Sequence, residues 1–174
     1  MSKKPSAPLP DGFCYFPDVI DRDEERRLVD SFTTLPFAPY VMRGYEAKRR
    51  IVRYEPLPEF LISIRDRVAM LAGLDPEPFT HGLVTEYTAG AQNGWHRDMP
   101  QFGPTVIGVS LASACRMRFR RIGGESGRTS ITLEPRSVYV MGGASRSEWQ
   151  HSIAPVEQLR YSITFRSARR LRNS

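Results

Sequence analysis

The stretch GWHRDMPQF, residues 94–102, places two potential metal ligands, His96 and Asp98, two positions apart. On an extended backbone alternate side chains share a face, so both can address one ion while Arg97 points away. Taken alone such a pair is a weak signal, met more often as a hydrogen-bonded loop pair than as a metal site. The chain has 3 histidines, His81, His96 and His151. His151, in EWQHSIAP, is the candidate for a third ligand. His81 stands alone at a strand start and reads as a hydrogen-bonded or surface residue rather than a fourth ligand. Two imidazoles and one carboxylate on one face of an octahedron suit non-haem Fe(II), leaving positions open for substrate and oxygen. Zinc is the alternative, but a hydrolytic zinc site wants a general base nearby, and none is evident.

A second segment carries chemistry of another kind. RYSITFR, residues 160–166, reads as a strand with Arg160, Ser162, Thr164 and Arg166 on one face and Tyr161, Ile163 and Phe165 on the other. If the polar face meets water, this is a plain half-buried strand. If it faces inward, two buried guanidiniums need anionic partners. Their Cα atoms would stand about 20 Å apart at roughly 3.3 Å per residue. Two long side chains leaning together leave a gap that a small dicarboxylate fits, held by charge-assisted hydrogen bonds. Iron with open positions beside a dicarboxylate clamp points to 2-oxoglutarate.

Elements able to position these groups can be read along the chain. Asp21 at an N-cap with Glu24 three residues on predicts a helix whose buried stripe holds Leu28, Val29 and Phe32. A second helix is expected from Pro58 through Phe60, Leu61, Ile64, Val68 and Leu71, stopping at Gly73. Beyond about residue 80 the period falls to two, giving strands over 82–87, 105–111, 117–120, 130–133, 137–141 and 161–166. Two helices followed by many short strands predict an α+β domain built on an antiparallel sandwich or barrel.

The 174 residues suffice for one domain with a sizeable core. Residues 1–10 read as a disordered lead-in, 11–168 as a single domain and 169–174 (RRLRNS) as a basic tail. No apolar run approaches the roughly 20 residues that span a bilayer, and MSKKPSAPLP lacks the apolar segment of a secretory signal. Cys14 and Cys115 stand far apart, which argues against a disulfide framework and for a cytoplasmic setting. A net charge of +6 permits a polyanionic partner without requiring one.

VTEYTAGAQNGWHRD, VIGVSLAS, RSVYVMGGASRSEWQHSI and RYSITFR, in this order, resemble the AlkB family of Fe(II)/2-oxoglutarate-dependent dioxygenases over about residues 80–168, with weaker similarity back to PDGFCYFPDVID. The resemblance implies a double-stranded β-helix (jelly roll) core with two N-terminal helices packed on one sheet. It implies that His96, Asp98 and His151 ligate Fe(II). Arg160 would pair with the distal carboxylate of 2-oxoglutarate, and Arg166 would sit near the end that chelates the metal. Tyr87 and Ser110 match positions lining the cosubstrate pocket. Ser162 and Thr85 stand where the family commonly has asparagine, so they keep hydrogen-bonding capacity with a shorter reach. The implied reaction consumes O2 and 2-oxoglutarate, hydroxylates a methyl group on nitrogen, and releases succinate, carbon dioxide and formaldehyde. Its substrate would be a methylated base such as 1-methyladenine or 3-methylcytosine, taken out of the stack.

Basic residues in MRGYEAKRRIVRYEP (42–56), with Tyr40, Tyr45 and Tyr54 interleaved, and at Arg116, Arg118, Arg120 and Arg121 suit an unpaired base and its phosphates. A solvated basic surface is the bland alternative. Two departures from the family stand out. The stretch from Arg49 to Pro58 is short where the family has a lid of two hairpins, which favours single strands over duplex. Pro100 occupies a position where the family places an acid against the cationic base. Trp95 reads as packing behind His96, and Trp149 as lining either site or core. The resulting expectation is a monomeric oxidative demethylase of alkylated DNA or RNA. An oxygenase acting on a protein or small molecule, and a non-catalytic nucleic-acid-binding module, are the competing readings.

Overall fold

The computed structural model describes residues 7–124 and 127–168. In chain order the elements are β1 (Phe13–Phe16), α1 (Arg22–Phe32), β2 (Ala38–Met42), β3 (Tyr45–Tyr54), α2 (Glu59–Leu71), β4 (His81–Tyr87), β5 (Asn93–His96), β6 (Phe102–Leu111), β7 (Cys115–Arg121), β8 (Arg128–Leu133), β9 (Ser137–Met141), α3 (Gly143–Ser147), β10 (Trp149–Ile153) and β11 (Arg160–Ala168). Seven strands form one sheet in the order β1-β9-β6-β11-β4-β3-β2, and four form the other, β5-β10-β7-β8. All strand pairings among the described residues are antiparallel. This is the jelly roll that the resemblance implies.

The helices begin and end where local chemistry says they should. Asp21 accepts a hydrogen bond from the Glu24 amide at 2.8 Å, closing the first turn of α1. Only half of the expected reciprocal box forms, because the Glu24 carboxylate reaches Arg67 on α2 at 2.7 Å instead. Pro58 is the N-cap of α2, one position before the helix rather than inside its first turn. At the other end Gly73 takes φ +70°, and the Leu74 and Gly73 amides donate to Ala69 and Met70 carbonyls at 2.9 and 3.0 Å. That left-handed residue, which strongly favours glycine, terminates α2.

Both helices lie on one face of the seven-stranded sheet. Leu28 and Phe32 of α1, with Leu61, Ile64 and Val68 of α2, bury against Val84, Ile107, Val109, Val138, Ile163 and Phe165. A second apolar cluster, including Tyr87, Val106, Met117, Phe119, Leu133, Tyr139 and Met141, fills the space between the sheets. Strand β11 therefore divides two environments. Tyr161, Ile163 and Phe165 face the helices, and Arg160, Ser162, Thr164 and Arg166 face the intersheet space, all but Arg166 of these four buried. The inward alternative for the polar face is the one the fold adopts.

The structure contains elements that periodicity does not announce. Strands β1, β5 and β10 are 4, 4 and 5 residues long. The hairpin β2–β3 turns at Arg43 and Gly44, both at positive φ. Where the family resemblance leads to a lid of two hairpins, this single hairpin occupies the rim of the large sheet. Of the lead-in expected over 1–10, residues 7–10 rest on the fold: Thr129 Oγ1 donates to the Ala7 carbonyl at 2.6 Å, and Pro10 is buried. Residues 1–6 and the basic tail 169–174 lie outside the described residues.

Candidate metal centre and cosubstrate pocket

Strands β5 and β10 pair so that His96 and His151 are direct cross-strand partners, with ring centroids 4.3 Å apart. Asp98 follows β5 by two residues and turns its carboxylate back between them. Its Oδ1 lies 3.8 Å from His96 Nε2 and 3.7 Å from His151 Nε2. One ligand atom from each residue lies within 4.8 Å of the others, close enough to converge on a single ion.

The protonation states suit metal binding. His96 Nδ1 sits 2.7 Å from the Gly94 carbonyl, an acceptor, so Nδ1 carries the proton and Nε2 offers its lone pair. Burial lowers the affinity of His96 for a second proton. His151 is held neutral more strongly, down to about 3, by burial and by the neighbouring His96. Burial alone would raise the Asp98 pKa, but the Arg166 charge and hydrogen bond, with the two imidazoles, outweigh it and bring the carboxyl to about 2. Two neutral imidazoles and one ionised carboxylate form a facial donor set for a divalent ion. Arg166 favours the ionised state: its Nε donates to Asp98 Oδ2 at 2.6 Å, leaving Oδ1 toward the histidines.

Farther along the same face, Arg160 is 1% exposed. Its Nη2 donates to Ser110 Oγ at 3.1 Å, and its guanidinium stands over the Tyr87 ring at 4.9 Å. Its Nε and Nη1 are buried without a hydrogen-bond partner among the described residues. A buried cation with two orphaned donors and, among the described residues, no carboxylate against it is incomplete as a structural feature. An acidic ligand would complete it. Ser162 is paired in register with both Ser110 and Thr85, and all three are buried on adjacent strands of this face. The six residues expected at the site on β4, β6 and β11, namely Tyr87, Thr85, Ser110, Arg160, Ser162 and Arg166, are thus gathered on one sheet face. The ligand triad closes that face from the smaller sheet.

Three residues of this site have no counterpart among the expectations drawn from sequence. Tyr139 lies in the intersheet cluster, and burial pushes its phenol pKa upward. Its ring fits because residue 108 is glycine: a Cβ there would meet Tyr139 Cζ at 2.2 Å and its hydroxyl at 2.5 Å. An isolated glycine inside the strand VIGVS was the available signal of such a close approach. Arg146 of α3 donates to the backbone carbonyls of Asp98 and Met99 at 3.2 and 3.3 Å, fixing the loop that carries the aspartate. Only its place five residues before His151 could have drawn attention to it.

The remaining sequence candidates divide. His81 bonds to Glu55 at 2.9 Å and Thr80 at 3.1 Å, far from the triad in role. Trp149 packs against the intersheet cluster. Trp95 does not pack behind His96. Alternation on β5 sends it to the outer face of the small sheet, beneath Arg118 and Arg120 at 5.2 and 4.6 Å.

With this geometry in hand, the chain can be set beside known proteins. A sequence profile of the 2OG-Fe(II) oxygenase superfamily matches residues 14–168. Uncharacterized protein L905 of Acanthamoeba polyphaga mimivirus is 26% identical over 178 residues, covering 90% of this chain and 84% of that protein. The alkylated DNA repair protein ALKBH8 homolog of Arabidopsis thaliana is 26% identical over 155 residues, 76% of this chain but 44% of that protein. Among solved structures, OsALKBH1 superposes with a TM-score of 0.74 at 17% identity, covering 92% of this chain and 100% of that one. A Pseudomonas putida prolyl-4-hydroxylase gives 0.69 at 16% identity, covering 91% and 93%. At such identities the solved structures speak for the fold alone.

Proposed function

Because the chain belongs to the 2OG-Fe(II) oxygenase superfamily, whose chemistry uses Fe(II), 2-oxoglutarate and O2, we propose that it is an AlkB-like dioxygenase that oxidatively removes N-alkyl groups from nucleic-acid bases, with single strands favoured. In this assignment His96, Asp98 and His151 hold Fe(II), and Arg160 with Ser110, Tyr87 and Ser162 holds the distal carboxylate of 2-oxoglutarate. When bound, iron and cosubstrate supply a C–H oxidation coupled to decarboxylation.

The protein's own part is preorganisation. Gly94 fixes the His96 tautomer, and Arg166 keeps Asp98 ionised with one oxygen turned to the ion. Arg160, already desolvated, has two donors waiting for a carboxylate. The sheet pair excludes water from the cosubstrate end of the pocket, where Arg160, Ser110 and Tyr87 are all buried.

The nucleic-acid half of the proposal is carried by the β2–β3 hairpin. Arg49 donates to the Gln92 carbonyl at 3.3 Å, in the loop leading to β5, and its charge acts on both Tyr87 and His96. Its guanidinium also stacks on Tyr40 at 4.1 Å, with Arg53 at 5.9 Å. Val41, Met42 and Tyr45 at the turn, and Met99 beside Asp98, are 54–70% exposed. Aromatic and apolar side chains among cations suit an unstacked base and its phosphates. A single hairpin offers little to pry open a duplex, hence the preference for single strands.

The decisive assay measures formaldehyde and succinate with oligonucleotides carrying 1-methyladenine or 3-methylcytosine, single-stranded and duplex. Stoichiometric release of both, faster from single strands, is expected. Succinate formed without formaldehyde from any methylated oligonucleotide refutes the demethylase reading and turns the search to protein or small-molecule substrates.

A further inference from the structure

The outer face of the small sheet has an unusual charge balance. Strands β5, β10, β7 and β8 contain five arginines (Arg116, Arg118, Arg120, Arg121 and Arg128) and no aspartate, glutamate or lysine. Alternation along β7 puts Arg116, Arg118 and Arg120 on one face, and the register Arg120↔Arg128 adds Arg128 to it. The same alternation places the ligands His96 and His151 on the opposite face. Like charges side by side on a sheet repel. Here the three of β7 on this face are anchored, among the described residues, by neutral acceptors. Arg116 donates to Ser130 Oγ at 3.0 and 2.9 Å, Arg118 Nε to Ser152 Oγ at 3.0 Å, and Arg120 Nε to Gln150 Oε1 at 2.7 Å. The one carboxylate bonded to an arginine of this group is Glu148, on Arg121, among the described residues.

These hydrogen bonds fix the arginines without neutralising them. Arg118 and Arg120 are anchored through Nε, and no hydrogen bond engages their terminal nitrogens among the described residues. Both guanidiniums stand over the Trp95 ring, the residue next to His96. Guanidiniums on alternate residues recur roughly every 6.6 Å, twice the strand rise, a spacing comparable to that of successive phosphates on an extended chain. A sheet face with regularly spaced cations is a track rather than an element that enters a groove.

We propose that the outer face of the small sheet, centred on Arg118, Arg120 and Trp95, is a binding track for the phosphates of single-stranded nucleic acid, which passes round the β5 edge to reach the metal side. The track rests on the nucleic-acid half of the function proposed above, but binding requires no turnover, so the two can fail separately. Its chemistry is sequence-independent: phosphate neutralisation with counterion release.

The test is fluorescence polarisation of a labelled, unmodified single-stranded oligonucleotide with the full chain across a salt series. The double variant Arg118→Gln/Arg120→Gln should bind at least tenfold more weakly at low salt. Its log–log salt slope should fall in magnitude by about 1.4, at roughly 0.7 for each phosphate of a single strand that is no longer neutralised. Arg118→Lys/Arg120→Lys should retain most of the slope, since point charges still neutralise phosphates. The single variant Arg116→Gln should remove about half as much slope as the double, and serves if the double variant does not fold. Arg26→Gln on α1, whose guanidinium pairs with Asp23 at 3.3 Å on the helix side, should leave binding unchanged. An unaltered slope in the glutamine variants overturns the track. So does polyglutamate that displaces the oligonucleotide at equal charge concentration, which would mark the face as a site for an acidic protein. Loss of salt-dependent binding with demethylation intact on short methylated substrates would uphold both proposals. Normal track binding without demethylation would sink only the function proposed above.

Discussion

Replacing Arg160 with methionine separates the two roles that a buried guanidinium can have. Arg160 is 1% exposed; among the described residues its Nε and Nη1 have no hydrogen-bond partner, and its Nη2 donates to Ser110 at 3.1 Å. Each buried orphan donor costs about 1–3 kcal/mol, so their removal relieves about 2–6 kcal/mol. Methionine gives up the charged hydrogen bond to Ser110, about 1.5–3 kcal/mol. It also forfeits the stacking on Tyr87, about 2 kcal/mol when desolvated. These nearly cancel, so the ligand-free chain should change in stability by no more than about 2 kcal/mol. Binding of 2-oxoglutarate is a different matter. A carboxylate left in the pocket without its guanidinium loses about 3–5 kcal/mol, or roughly two to three and a half powers of ten in affinity. Urea unfolding of the ligand-free protein measures the first quantity, and anaerobic calorimetric titration of 2-oxoglutarate into Fe(II)-loaded protein measures the second. A variant destabilised by more than about 3 kcal/mol with unchanged cosubstrate affinity would make Arg160 a structural residue and refute the reasoning.

Other outcomes follow from the same geometry. Gly108→Ala drives a Cβ into the Tyr139 ring and should cost about 1–3 kcal/mol of stability by overpacking; measured in a Tyr139→Ala background, the added loss from Gly108→Ala should be smaller. Glu86→Ala removes the acceptor for Arg50 at 2.6 Å and Tyr161 at 3.0 Å, and should destabilise by about 1–3 kcal/mol in thermal or urea melts. His151 is held down to about 3 in the fold but titrates near 6.5 when unfolded. The unfolded chain therefore takes up the proton first, so metal-free stability should fall as pH drops from about 6.5 toward 3. His151→Phe should flatten that limb of the pH–stability profile, and an unchanged limb would contradict the assignment.

Much of the site was legible because its chemistry needs residue types that are rare here. With 3 histidines in the chain, the aspartate two residues on singles out His96, His151 stands as the candidate for a third ligand, and the full set is what the family resemblance implies. Strand β11 was legible from strict alternation, but which face pointed inward was not. That depends on where α1 and α2 dock, and they cover Tyr161, Ile163 and Phe165. Both helices announced themselves through Asp21 and Gly73, local signals that tertiary packing did not override.

Strands β5 and β10 escape periodicity because His96 and His151 occupy inward positions where a core strand would carry apolar residues. Function breaks the very pattern that reveals a strand. Strand β3 hides for a different reason. Lys48, Arg49 and Arg50 stand in a row beside buried Ala47, Ile51 and Val52, so no period of two survives, and the segment reads as a basic cluster. The outward turn of Trp95 needed the register of β5 with β10, which pairing alone fixes. The Gly108–Tyr139 fit joins neighbouring strands far apart in sequence, and only the glycine hinted at it.

The central assignment is that His96, Asp98 and His151 hold one Fe(II) beside a 2-oxoglutarate anchored by Arg160. Anaerobic titration of 2-oxoglutarate into the Fe(II)-loaded chain, followed by the visible metal-to-ligand charge-transfer absorption, tests it most directly. The expected result is a band that saturates at one cosubstrate per chain, disappears in His96→Ala, and in Arg160→Met appears only at far higher 2-oxoglutarate. A band undiminished in His96→Ala, or none in the unaltered protein loaded with iron, would contradict it.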